Sequence, residues 1–140
     1  MRDIHNTIDV KLVISPVSVA DNTAQVGQII DMAGFEAAEY VIATGSVGDA
    51  GAEFTVLLED GDASNLSDAA AVADAYLVGT EALASFIQTD DNKCFKLGYK
   101  GLKRYSRLTI TPTNNATAAL IAAVCVLGLP TNGTTANPPA

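Results

Sequence analysis

The sequence predicts a single antiparallel β-sandwich of about eight short strands, with at most one short helix and an extended arm at each end. Three observations carry this. Hydrophobic residues recur with period two rather than 3.6. The strand-like runs are punctuated by turns rich in Gly, Pro, Asn and Asp, and a chain of many short strands separated in this way suits a sandwich better than a barrel. Finally, 140 residues that are 49% hydrophobic and 17% charged make one core of ordinary domain size. That composition is too apolar for a disordered chain and excludes a large two-domain enzyme. The longest nearly apolar run, 116–129, is too short and too broken by Thr117 and Gly128 to cross a bilayer.

The elements follow in chain order. Residues 1–7 read as an N-terminal arm and lack the apolar core of a secretory signal. The domain spans 8–129. Val10, Leu12 and Ile14 alternate with Asp9, Lys11, Val13 and Ser15 until Pro16 closes the first strand. Residues 25–32 are apolar but alternate poorly, and Gly34 separates them from a strand over 39–44. Gly45, Gly48 and Gly51 mark a loop. Residues 53–59 alternate best, with Phe54, Val56 and Leu58 on one side and Thr55, Leu57 and Glu59 on the other, before a turn at Asp60-Gly61-Asp62. Ser67-Asp68 ahead of the alanines 69–71 and 73 predicts one helical turn, because Ser and Asp cap free amides and alanine costs a helix least. Residues 76–78 return to an extended pattern.

In the last third, Phe95, Leu97 and Tyr99 oppose Lys96 and Lys100, and a turn containing Gly101 leads to 105–112. There Leu108 and Ile110 face inward while Arg107, Thr109 and Thr111 face out, so the two runs read as a hairpin with a basic face. Residues 118–127 are apolar on both parities. They form either a central strand covered on both faces or one whose outer face meets another subunit. Residues 130–140 carry too little apolar surface to fold alone and read as a C-terminal arm.

Charge is sorted along the chain. No Lys or Arg stands between Lys11 and Lys93, whereas fourteen Asp and Glu fall from Asp21 to Asp91. Six of the eight cations then crowd into Lys93, Lys96, Lys100, Lys103, Arg104 and Arg107. A net charge of −8 disfavours general nucleic-acid binding and anionic membranes at long range.

Chemistry finds little foothold. The one histidine, His5, lies in the terminal arm, so a Ser-His-Asp or Cys-His pair would have to fold that arm into a cleft. Cys94 and Cys125 lack metal-ligand spacing and read as reduced thiols more readily than as a bridge. No phosphate-cradling glycine motif is present. Glu39, Glu53, Glu59 and Asp60 are available as an acid–base pair, yet the chain has no Trp to stack on a sugar. The run from Glu59 to Ser64 offers alternating oxygen ligands, but Asn65 and Ala71 stand where a calcium loop needs Gly and Glu. No cofactor and no metal are expected.

The positive signal is the basic hairpin. Lys93, Lys96, Lys100, Lys103, Arg104, Tyr105 and Arg107 form the candidate protein–protein interface, a cationic stripe able to meet an acidic surface on another protein or another copy. The same face can instead fold back on the chain's own acids, or touch phosphate.

The segment from Lys96 to Pro112 (KLGYKGLKRYSRLTITP), together with DMAGF at 31–35 and FTVLLEDG at 54–61, resembles small structural proteins from the head genes of tailed bacteriophages. These are capsid decoration, or cement, proteins of β-sandwich or jelly-roll type. The resemblance implies a non-enzymatic virion protein made in the bacterial host cytoplasm. It would sit on the capsid exterior, bound to the major capsid protein and to copies of itself, most often as a trimer, with no nucleic-acid or membrane partner. A tail- or fibre-associated virion protein and a carbohydrate-binding β-sandwich are the alternatives.

Overall fold

The computed structural model describes residues 3–135 and is an all-β sandwich of two antiparallel sheets. The chain runs β1 (Ile8–Val19), β2 (Gln25–Val26), β3 (Ile30–Asp31), β4 (Phe35–Val47), β5 (Glu53–Gly61), β6 (Ala70–Ala71), β7 (Leu77–Val78), α1 (Glu81–Ala84), β8 (Phe86–Ile87), β9 (Cys94–Tyr99), β10 (Tyr105–Thr113) and β11 (Ala119–Pro130). The first sheet has the order β1-β11-β4-β9-β7. The second has the order β2-β10-β5-β6, with β3 also on β10 and β8 also on β5. Almost every connection crosses from one sheet to the other, which is the winding of a jelly roll.

Period-two burial builds the core. Tyr40 and Ile42 on β4, Leu97 on β9, and Cys125 and Leu127 on β11 point into the sandwich from the first sheet. Phe54, Val56 and Leu58 on β5 and Leu108 and Ile110 on β10 meet them from the second, on the side their alternation predicts. At one end Phe54 stacks on Phe86 with ring centroids 4.7 Å apart, and Phe86 stacks on Phe95 at 5.6 Å, bridging the gap between sheets. Gly27 breaks the edge into β2 and β3 because no side chain fits there. A Cβ at that position would sit 2.5 Å from the Leu108 carbonyl and 2.7 Å from a Val13 methyl.

Three sequence expectations are corrected. The runs 95–100 and 105–112 do not form a hairpin: β9 pairs with β4 and β7, β10 pairs with β5, β2 and β3, and the 100–104 link crosses between sheets. The helical turn expected over 69–73 is absent, because Asp68 does not cap it. Its carboxylate accepts the Asp62 and Ala63 amides at 2.8 and 3.1 Å, and Val72 is drawn into the core as its amide bonds the Leu58 carbonyl. The short helix forms instead at Glu81–Ala84, capped by Thr80, whose hydroxyl accepts the Leu83 amide at 3.1 Å. On β1, a register shift between Leu12 and Ile14 turns both Val13 and Ile14 inward and leaves Val10 and Leu12 outside.

His5–Thr7 form a 3₁₀ turn, and β11 runs to Pro130. Thr131 then bonds Gly34, and Thr135 donates to the carbonyls of Asn6 and Ile8, so 131–135 lie against the body. Residues 1–2 and 136–140 of the expected arms lie outside the described residues.

Candidate interaction surface

The seven residues expected to form a cationic stripe are divided by the sheet crossing. Lys93 and Lys96 belong to the approach to β9 and to β9 itself, Lys100, Lys103 and Arg104 to the link, and Tyr105 and Arg107 to β10. Four of the cations fold back on the chain's own acids. Lys93 pairs with Asp90 at 2.9 Å and Lys103 with Asp62. Arg104 grips both oxygens of Asp31 at 2.9 and 2.8 Å, and Arg107 bonds Glu59 at 3.0 Å across β10 and β5. The Arg104 guanidinium also lies 5.1 Å from the Tyr105 ring centre. Among the described residues, Lys96 and Lys100 have no ion pair with this chain. The sorted charge therefore closes on itself: acids from the first two thirds receive cations from the last.

Electrostatics follow these contacts. The Arg104 hydrogen bond holds the Asp31 carboxyl below its usual range, and the Ala33 amide adds to this. Asp90 is lowered by the Ile87 amide first and by Lys93 second. Asp62 raises Lys103. Inside the sandwich, burial raises the Tyr40 hydroxyl, which meets Ser106 Oγ at 2.5 Å, and pushes the Cys125 thiol up to about 12. Cys94 is exposed and Cys125 buried, and both are free.

The link between β9 and β10 makes one end of the sandwich. Leu102 stands at its tip 88% exposed, flanked by Lys100, Lys103 and Arg104. Behind it, Met32, Phe35, Ala38, Tyr99 and Arg104 line a cavity of about 290 Å³. Tyr99 steadies the link, donating its hydroxyl proton to Asp60 at 2.7 Å and accepting the Lys103 amide at 3.2 Å.

The acids weighed as an acid–base pair do not converge. Glu39 lies on the outside of the first sheet, Glu53 and Glu59 on the outside of the second, and Asp60 is held by Tyr99. His5 is exposed in its 3₁₀ turn. The 59–64 segment is a strand end and turn organised by Asp68. Among the described residues, no cluster of His, Cys, Asp and Glu is arranged to hold a metal ion.

A second surface was foreshadowed in the sequence only as one of two alternatives for residues 118–127, an outer strand face meeting another subunit. The outward side of the first sheet is aliphatic, formed by Val10 and Leu12 on β1, Leu120, Val124 and Val126 on β11, and Val41 on β4. The two-parity apolar run of β11 was its signal. The β1 contribution was hidden because the bulge reverses which parity faces out.

No family profile matches the chain, and no curated protein matches it in sequence. Solved structures share its fold. The PBSX exported protein XepA aligns with a TM-score of 0.53 at 13% identity, over 94% of this chain and 40% of that one. A chain of the cyanophage Pam1 capsid asymmetric unit aligns at 0.50 and 9% identity, over 93% and 90% of the two chains. The SPBc2 prophage-derived protein YomS aligns at 0.48 and 9% identity, over 90% and 98%. The fold is thus shared with a PBSX exported protein and with a chain of a cyanophage capsid asymmetric unit.

Proposed function

We propose that this chain is a non-enzymatic virion structural protein that binds the exterior of a tailed-phage capsid lattice and stabilises it. The observation that carries this reading is the 100–104 link, where a nearly naked Leu102 stands in a segment carrying Lys100, Lys103 and Arg104 at one end of a rigid sandwich. Full burial of one leucine is worth roughly 1.5–3 kcal/mol, so such an anchor suits weak contacts repeated over a lattice. The surrounding cations favour an acidic partner surface and set orientation more than affinity. Lys100 offers its charge without first breaking an internal pair, whereas Lys103 and Arg104 must share theirs with Asp62 and Asp31. The match to a chain of a phage capsid asymmetric unit over nine-tenths of both chains supports the same reading. Binding only to the assembled lattice would stabilise that lattice by mass action.

The test is co-sedimentation of labelled protein with expanded phage heads that lack it, against purified tail tubes as the competing target. Binding to heads is expected, and Leu102→Asp with Lys100→Glu should weaken it at least about tenfold, the loss of one buried anchor and one charge contact. Binding to tubes instead of heads, or undiminished binding by the variant, overturns the assignment.

A further inference from the structure

The two outer faces of the sandwich differ in kind. The second sheet shows water Thr55, Thr109 and Thr111 and the Arg107–Glu59 pair, with Leu57 and Val26 among its exposed aliphatic residues. The first shows it Val10, Leu12 and Leu120, which remain 40%, 52% and 47% exposed, with Val41, Val124 and Val126 half-buried between them. Among the described residues, the charges at outward positions of β1, β11, β4 and β9 are Glu39 and Lys96, one of each sign and not paired with each other. A contiguous aliphatic sheet face of this kind marks an interface.

We infer that this face is covered by the same face of a second copy, related by a two-fold axis that crosses the strands at the level of Tyr40 and Cys125. The register supports that axis. Cross-strand pairing places Val10, Val126, Glu39 and Gly98 in one row, and Leu12, Val124, Val41 and Lys96 in the next outward row. A two-fold between the rows lays each on the other. Val10 meets the second copy's Leu12, Val126 meets its Val124, and Glu39 comes beside its Lys96. Lys96 in turn comes over the second copy's Gly98, whose outward position is bordered by Val78, with the Val78 Cβ 2.8 Å from where a Gly98 Cβ would stand. Glu39 already leans over that glycine, its Oε2 2.9 Å from where a Gly98 Cβ would stand, so the carboxylate waits where the arriving ammonium would lie. Both copies make the same contacts, as an isologous interface requires.

Area argues for the same occupant. The three long strands β1, β11 and β4 give a face of about 14 Å by 40 Å from ordinary strand spacing and rise. That is about 560 Å² in projection before side-chain relief is added, against roughly 800 Å² per partner in a standard interface. Two such sheets would stack about 10 Å apart, as in a sandwich. The 100–104 link takes no part in these contacts, so the dimer and the capsid docking can each fail alone.

Sedimentation equilibrium at micromolar concentration tests the inference, with circular dichroism as the check on folding. The wild-type chain should sediment at twice 14.4 kDa, and Val124→Lys should sediment at 14.4 kDa with an unchanged spectrum. Should Val124→Lys not fold, the charge cycle decides. Glu39→Lys and Lys96→Glu should each weaken association on the order of tenfold, and the double exchange should recover most of it. A wild-type monomer, a trimer, or a cycle in which the double exchange is as weak as the single ones overturns the two-fold arrangement.

Discussion

Asp9 faces the interior from an edge strand, which places a carboxylate where its register neighbour across the ladder is the fully buried Leu127. Its Oδ2 meets Lys11 Nζ at 2.9 Å, while its Oδ1 is buried without a hydrogen bond. A half-buried pair of this sort gains Coulomb energy only by giving up hydration, and removing one partner leaves the other exposed to the full desolvation penalty. Lys11 is about one-third exposed, so water screens part of the effect. Lys11→Met alone should therefore lower stability by about 1–3 kcal/mol, and Asp9→Val with Lys11→Met should recover that loss or exceed it, as read from urea unfolding midpoints. A double variant no better than the single one would mean that the pair adds net stability. The inward carboxylate was not legible in sequence, because alternation alone puts Val10 and Leu12 inside. Only the bulge at Val13–Ile14 decides the parity.

Individual strands were legible because each buries one side, and burial imposes period two on residues such as Phe54, Val56 and Leu58. Partners were less legible. A five-residue link such as 100–104 can close a hairpin or cross between sheets, and its glycine is compatible with either. The jelly-roll winding sends β9 and β10 apart, so the cationic stripe dissolves into separate pairs. Short elements of two residues, such as β6, β7 and β8, have no period to read. One of them nevertheless matters to the core: Phe86 of β8 is 2% exposed and stacks between Phe54 and Phe95. Phe86→Ala should cost about 3–5 kcal/mol, since it loses both ring contacts and leaves a cavity between the sheets. Phe86→Leu should cost distinctly less, and equal losses would show that the site collapses around any substitution.

Across the whole molecule, sorted charge becomes a web of carboxylates whose folded pKa values lie below the ordinary aspartate value near 4, among them Asp31, Asp68 and Asp90. Because the unfolded chain binds protons more readily than the folded one, their contribution is complete well above pH 4. It is lost as pH falls through the folded values. Thermal midpoints should therefore be level from pH 7 to about pH 5 and decline below about pH 4. A midpoint that rises on acidification through that window would mean that repulsion among the fourteen acids outweighs their pairing. The acid–base complementarity was legible as sorting in the sequence. Which acid takes which cation required the fold, since Asp31 and Arg104 meet over 73 positions.

The neighbours of β11 have a further consequence. It lies between β1 and β4, which do not touch each other in the ladder without it. On the ribosome, where residues emerge at roughly 5–20 per second, β1 appears first and waits for residues 119–130 before it has a partner. The first sheet is therefore completed only after residues 119–130 have been made, more than 100 residues after β1. A nascent chain stalled before Ala119 should remain protease-sensitive from its first strand onward.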